Sequence, residues 1–264
     1  MKISIITINY NNKLGLERTI KSVIQQSWQD FEYLIIDGGS SDGSVDIIKD
    51  YNSRINYWIS EKDNGIYNAM NKGIRKAKGE YLLFLNSGDI LQGNHSLFDV
   101  NQYVKEFDII SFNLQVIGEA SNFIKSYPSK ISFSYFLEDT LPHPATFIKR
   151  DSFEKVGFYD ENLRIVSDWK WFLVALFKHN LSHIHYNKVF SVFYLDGLSS
   201  NKDSYNLIQN EKRSTLNNEF LRFYNEFLQI KDSVKFRDKL NNNLLYKFYK
   251  FSVRIRQKIS KLIR

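Results

Sequence analysis

Asp37, Asp89, Asp168 and His143 are the side chains best placed to do chemistry, because each lies at the border of an apolar run. The run Tyr81-Leu82-Leu83-Phe84-Leu85 turns polar at once into Asn86-Ser87-Gly88-Asp89. Small polar residues make ordinary surface turns. At the carboxyl end of a parallel strand, however, such a turn lies where open α/β sheets bind ligands. A carboxylate there, joined by water and two phosphate oxygens, is a usual way to hold Mg²⁺ or Mn²⁺. The stretch IIDGGSSDGS repeats the pattern after another strand. Its backbone N–H groups suit an anion, yet Asp37 and Asp42 repel a bare phosphate. Asp37 is better suited to accept hydrogen bonds from a base N–H or a ribose hydroxyl. An ordinary turn with Asp42 capping the next helix fits equally well.

Asp168 opens the apolar stretch SDWKWFLVALFKH, with Ser167 expected as helix N-cap. An acid in a first turn can simply complement the helix dipole, or it can act as a general base. His143 stands between Pro142 and Pro144, which hold the chain extended. It could ligate a metal, touch a diphosphate, or make a structural hydrogen bond. His183 and His185 alternate on one strand face, and Trp169, Trp171 and Phe172 read mainly as core.

The elements that must position these groups alternate. Strands are expected at 3–8, 33–36, 55–60 and 81–85, with helices at about 14–26, 44–51 and 65–78 between them. Alternation of this kind argues for a mainly parallel sheet flanked by helices, and the continuous apolar runs argue for burial on both faces. A looser half follows. It has strands at 107–118, 145–149 and 188–195, helices at 151–157 and 167–179, and a long helix from about Asp203 to Phe227.

The chain has 264 residues, 43% hydrophobic and 25% charged, which suits an ordinary globular protein. It has no cysteine, so disulfides and thiolate metal sites are excluded. No apolar run is long enough for a membrane span, and the start, MKISIITINYNN, is too short and polar for a signal peptide. The net charge is +7. From Lys231 to Arg264, 11 Lys or Arg face two acids, a net +9, which leaves −2 for the first 230 residues. The basicity therefore belongs to the tail and does not indicate nucleic acid. Leu244, Phe248, Phe251, Ile255, Ile259 and Leu262 form one helical stripe flanked by Lys and Arg. A cationic amphipathic helix of this kind can lie in the interface of an anionic membrane, or pack on the domain before it.

The order ISIITINYNN, YLIIDGGSSDGS and EKDNGIYNAMNKGIRKAKGEYLLFLNSGD resembles the nucleotide-binding half of the inverting family 2 glycosyltransferases. HPATFIKRDSFEKVGFYDENLRIVSDWKWFL and LDGLSS resemble that family's acceptor segment and late Gly-Ser loop. The resemblance implies a GT-A fold (mixed, mainly parallel, Rossmann-like), a nucleotide-diphosphate sugar donor, and Mg²⁺ or Mn²⁺. By position it implies nucleotide contacts at Asn9, Tyr10, Asp37, Asp63 and Asn71, metal contacts at Asp89 and His143, and Asp168 as catalytic base. Asn86 and Gly88 stand where the family commonly has carboxylates, so Asp89 is the sole acid left in that motif.

The expected organisation is a GT-A domain at 1–228, with a nucleotide-sugar half to about 92 and an acceptor half after it, then a basic helical tail at 229–264. The expected activity is inverting transfer from a UDP-sugar to a glycan or polyprenyl-linked glycan of a bacterial surface polysaccharide. The expected location is cytoplasmic, peripheral on the inner membrane face through 240–264. The alternatives are a non-catalytic nucleotide-sugar-binding protein and a nucleotidyltransferase. The latter more often carries a Gly-rich basic loop where this chain has NYNNKLG.

Overall fold

A computed structural model describes residues 2–119, 121–195 and 204–242. The stripe from Leu244 to Leu262 and most of the LDGLSS loop lie outside the described residues. The chain divides into two compact units, Met1–Lys212 and Arg213–Arg264.

The first unit starts with the expected alternation. Strand β1 (Ile3–Asn9) is followed by helix α1 (Lys13–Ile24), β2 (Phe31–Asp37), α2 (Ser44–Asp50), β3 (Tyr57–Ser60), α3 (Ile66–Lys76) and β4 (Tyr81–Phe84). Every residue of β1 and β4 is buried. β-Branched and aromatic side chains suit such a surface, buried on both faces. The register is parallel throughout: Asn9 lies beside Asp37, and Asp37 beside Ser60. Three strand ends therefore deliver three polar side chains to one sheet edge. Helix α3 closes onto β1 and β2 through Gly73, where an added Cβ would lie 2.5 Å from Ile6 Cγ2.

The second half is mixed. It comprises β5 (Ile90–Leu91), α4 (Ser96–Val100), β6 (Ile109–Gly118), β7 (Ser121–Lys125), α5 (Phe133–Glu138), β8 (Thr146–Lys149), α6 (Ser152–Val156), α7 (Ser167–Phe177) and β9 (His183–Tyr194). Among the described residues one sheet forms in the order β3-β2-β1-β4-β8-β6-β9-β5, with β7 on β6. Strand β8 runs antiparallel to β4, so its entry, the 3-10 turn His143–Ala145, lies at the edge where β4 ends. Both faces of the sheet are buried: one carries a core cluster that includes Ile5, Tyr33, Tyr81, Phe112, Phe147 and Phe190, and the other is covered at Ile6, Leu34, Leu82 and Phe84.

Some expectations are corrected. Strand β9 starts at His183 rather than Lys188, because the HIHY segment pairs with β6. The expected long helix is two, α8 (Tyr205–Glu219) and α9 (Leu221–Asn242). Ser167 is not the N-cap of α7. It is the first helical residue, Val166 holds the cap position, and the Ser167 hydroxyl has no hydrogen-bond partner among the described residues. Gly43, not Asp42, occupies the N-cap of α2. Asp42 instead accepts the Ser44 N–H and hydroxyl and the Lys13 N–H, tying the starts of α1 and α2 together.

Candidate active site

Asp37 is fully buried at the end of β2 and takes five donors. Its Oδ1 accepts Asn9 Nδ2 at 2.7 Å and Ser40 Oγ at 2.6 Å. Its Oδ2 accepts Ser60 Oγ at 2.6 Å and the N–H groups of Ser40 and Gly39 at 2.9 and 3.2 Å. Burial alone raises a carboxyl pKa, but here the Ser40, Ser60 and Asn9 donors outweigh it and hold Asp37 below the usual range. Gly39 needs its φ of +79° to bring that N–H round. Asp37 thus builds the loop. Tyr10 is 68% exposed. An added Cβ on Gly38 would lie 3.1 Å from Asp63 Oδ2 and 3.3 Å from Tyr10 Cδ2, so these three residues line one recess. Asp63 is paired with Lys72 at 2.6 Å, which also reaches Glu61 at 2.6 Å. Asn9 Oδ1 is buried there with no protein partner among the described residues.

The turn after β4 is clamped by α1. Ser87 N–H bonds to Ile8 O, continuing along β1, and Asp89 N–H closes the turn on Asn86 O. The Thr19 hydroxyl accepts Gly88 N–H at 2.9 Å and lies 2.7 Å from Asp89 O. Asn12 Nδ2 donates to Ser87 O at 3.0 Å. Asp89 is buried at this turn.

A divalent cation fits the donor chemistry of this turn. Asp89 supplies a carboxylate, and Asn86 Oδ1 is a buried amide oxygen with no hydrogen-bond partner among the described residues, a hard neutral ligand type. His143 is placed differently. Its ring stacks on Phe84 at 4.7 Å, and its Nε2 bonds the Tyr159 hydroxyl at 2.9 Å. Burial lowers its pKa against the opposing charge of Asp168, so the ring is neutral at pH 7. Among the described residues no three His, Asp or Glu cluster to hold a metal. His183 and His185 both contact Ser111 Oγ, at 2.9 and 3.0 Å, and burial pushes His183 down to about 4.

Asp168, half-buried at the start of α7, faces the start of α3. The Tyr67 hydroxyl lies 2.9 Å from Asp168 Oδ1 and 2.5 Å from Ile165 O. Burial, then the Asp168 charge, raises the Tyr67 pKa well above its ordinary value, so the phenol stays a donor. Asn71 does not face the recess of Tyr10, Gly38 and Asp63. Its amide donates to Tyr159 O and Glu161 Oε1 and accepts Tyr159 N–H, joining α3 to the segment that leads to α7.

Asn9, Tyr10, Asp37, Asp63, Asp89, His143 and Asp168 therefore all lie at the carboxyl edge of the parallel strands. Sequence reasoning missed Thr19, Tyr67 and Glu211. Tyr67 lies inside a quoted motif, and Thr19 within the helix expected at about 14–26. Glu211, in α8, carries no local signal.

Residues 4–157 match the family described as Glycosyl transferase family 2. The chain belongs to that family. It is a glycosyltransferase with a GT-A fold. It is 32% identical to an uncharacterized glycosyltransferase of Mycobacterium tuberculosis, over 66% of this chain and 68% of the other. It is 29% identical to a PGL/p-HBAD biosynthesis glycosyltransferase of Mycobacterium bovis, over 63% of this chain and 66% of the other. Among solved structures it resembles S. aureus TarS 1-349 in complex with UDP-GlcNAc, with a TM-score of 0.64 and 17% identity over 82% of this chain and 67% of that one. The UDP complex matches over 60% of the TarS chain, with a TM-score of 0.61 at 17% identity over 74% of this chain. A mannosyltransferase from Pyrobaculum calidifontis in complex with GDP-Man and Mn²⁺ has a TM-score of 0.59 at 14% identity, over 75% of this chain and 58% of the other.

Proposed function

We propose that this glycosyltransferase moves a sugar, with inversion, from a UDP-sugar to a hydroxyl of a glycan or lipid-linked glycan of a bacterial surface polysaccharide. The observation that carries the reading is Asp168 at the same sheet edge as Asp37, Asp63 and Asp89, its Oδ1 fixed by Tyr67. Tyr10, Asn9 and Asp63 bind the nucleoside on a loop that Asp37 holds rigid. Asp168 takes the proton of the acceptor hydroxyl. The acceptor oxygen then bonds to the anomeric carbon while the bond to the donor diphosphate breaks on the opposite face, and the nucleotide leaves as the diphosphate. Asp89 and Asn86 would hold Mg²⁺ or Mn²⁺, which supplies positive charge for the leaving diphosphate when bound. His143, neutral and buried, shapes the wall behind the reacting centre.

The mycobacterial relatives and the UDP and GDP-Man complexes of the structural neighbours support a nucleotide-sugar donor. The basic stripe from Leu244 to Leu262 supports a peripheral contact with the inner face of an anionic membrane. No helix among the described residues is long and apolar enough to cross one.

A panel of UDP-, GDP- and dTDP-sugars, with Mn²⁺ or with EDTA and with lipid-linked glycan extract as acceptor, tests the reading. Nucleotide release from a UDP-sugar that EDTA abolishes is the expected result. Release confined to GDP- or dTDP-sugars would overturn the donor assignment.

A further inference from the structure

The candidate base is held by groups far from it in sequence. Glu211 is buried, at 9% exposure, yet carries a carboxylate. Desolvating that charge is costly unless donors surround it. Here they are three consecutive backbone N–H groups. Arg164 N–H reaches Oε1 at 2.7 Å, and those of Ile165 and Val166 reach Oε2 at 3.1 and 3.2 Å. These residues form the strap that enters α7 two residues before Asp168. The neighbouring Lys212 sits 5.0 Å over the ring of Trp169, directly after Asp168. From the other side, the Tyr67 hydroxyl contacts both the strap, at Ile165 O, and Asp168 Oδ1.

We propose that Glu211 is a positioning residue for Asp168, fixing the entry strap so that Tyr67 and Asp168 meet and the second carboxylate oxygen, Oδ2, is presented to the acceptor. The proposal rests on Asp168 being the base. Glu211 touches no substrate. Its effect is on where Asp168 stands, and a displacement of about 1 Å at a reacting group can cost about 10²-fold in rate. The sequence hides this arrangement because Glu211 lies on a polar helix, 43 residues beyond Asp168.

The test compares wild type, Glu211→Gln, Glu211→Ala, Tyr67→Phe and Asp168→Asn. Hydrolysis of the UDP-sugar turned over fastest gives kcat and KM, UDP titration gives donor-site affinity, and hydrogen exchange follows the amides of residues 164–168. Glu211→Gln keeps the shape and one acceptor oxygen, so it is expected to fold. Its kcat should fall about 10-fold, and that of Glu211→Ala about 10²-fold. UDP affinity and donor KM should stay within about 2-fold, with faster exchange at 164–166. Tyr67→Phe should lower kcat alone, without speeding exchange at Arg164. Wild-type kcat in both Glu211 variants, beside an inactive Asp168→Asn, overturns the proposal and leaves the base reading standing. Wild-type kcat in Asp168→Asn overturns both. A loss of UDP affinity matching the loss of kcat in Glu211→Gln also overturns it, because that pattern marks general disruption and not placement of the base.

Discussion

The two sides of the sheet edge are built in opposite ways. On the side proposed for the nucleotide, one buried carboxylate organises its neighbourhood: Asp37 collects five donors from two other strand ends and one turn, all from residues 9–60. On the side proposed for the acceptor, the candidate base is organised by others. Asp168 depends on Tyr67, 101 residues away, and on a strap held by Glu211. The first is a locally closed network, and the second is a junction of distant elements. A closed network should reveal itself as stability when broken. A junction should reveal itself as lost rate with the fold intact.

The largest stability effect is therefore expected at the nucleotide loop. Asp37→Ala leaves several buried donors unpaired and should cost about 3 kcal/mol or more, with loss of UDP binding. Denaturant unfolding and UDP titration measure both. Asp168→Asn should cost less than about 1 kcal/mol by the same unfolding assay, since its group is half-buried. Equal costs at the two positions would erase the contrast.

Thr19→Val comes next. It removes the hydroxyl that links Gly88 N–H to Asp89 O while keeping the volume. A loss of about 1–2 kcal/mol is expected, with weaker Mn²⁺ binding in the presence of UDP. The turn after β4 is thus expected to behave like the Asp37 loop, as a local network.

The contrast follows what the sequence made legible. Strands β1, β2 and β4 were readable because each is a continuous apolar run, and Asp37 and Asp89 because each ends such a run in a turn. Strand β5, two residues long, and the exposed β7 carry no periodicity to read. Asn71 lies between residues of a nucleotide-side motif, but it turns inward because α3 buries it against the Tyr159 segment. Ser167 looks like a cap by type, yet the chain enters α7 one residue earlier, along a strap that Glu211 has already bound. Such long-range hydrogen bonds leave no pattern in a single chain.

Two pH effects sharpen the comparison. The Asp37 pKa is lowered on folding. Its stabilisation is complete above the unfolded carboxylate value of about 3.9 and is lost as pH falls through the lower folded value. Buried His143 also has a lowered pKa, so the unfolded state takes up its proton first, and stability drops as pH falls below about 6.5. Unfolding of His143→Gln should be flatter between pH 7 and 5 than that of wild type. Asp37→Asn should be flatter only below about pH 4. A slope unchanged by His143→Gln would remove that histidine from the acid response.

A gain, not a loss, is expected where a residue is added to a network already present. Asn86→Asp places a second carboxylate beside Asp89 and should tighten Mn²⁺ binding to the UDP complex by about 10-fold, or about 1.4 kcal/mol. Mn²⁺ titration followed by electron paramagnetic resonance reads this without turnover. Unchanged affinity would mean that the Asn86 side chain does not face the cation.

The most direct test of the account is made on Asp168→Asn alone, by measuring UDP affinity and donor turnover on the same preparation. The account predicts UDP affinity within about 2-fold of wild type and turnover lower by about 10²–10⁴-fold, the usual contribution of a general base. Turnover close to wild type with intact UDP binding would contradict it, and the base would have to be sought elsewhere on the edge.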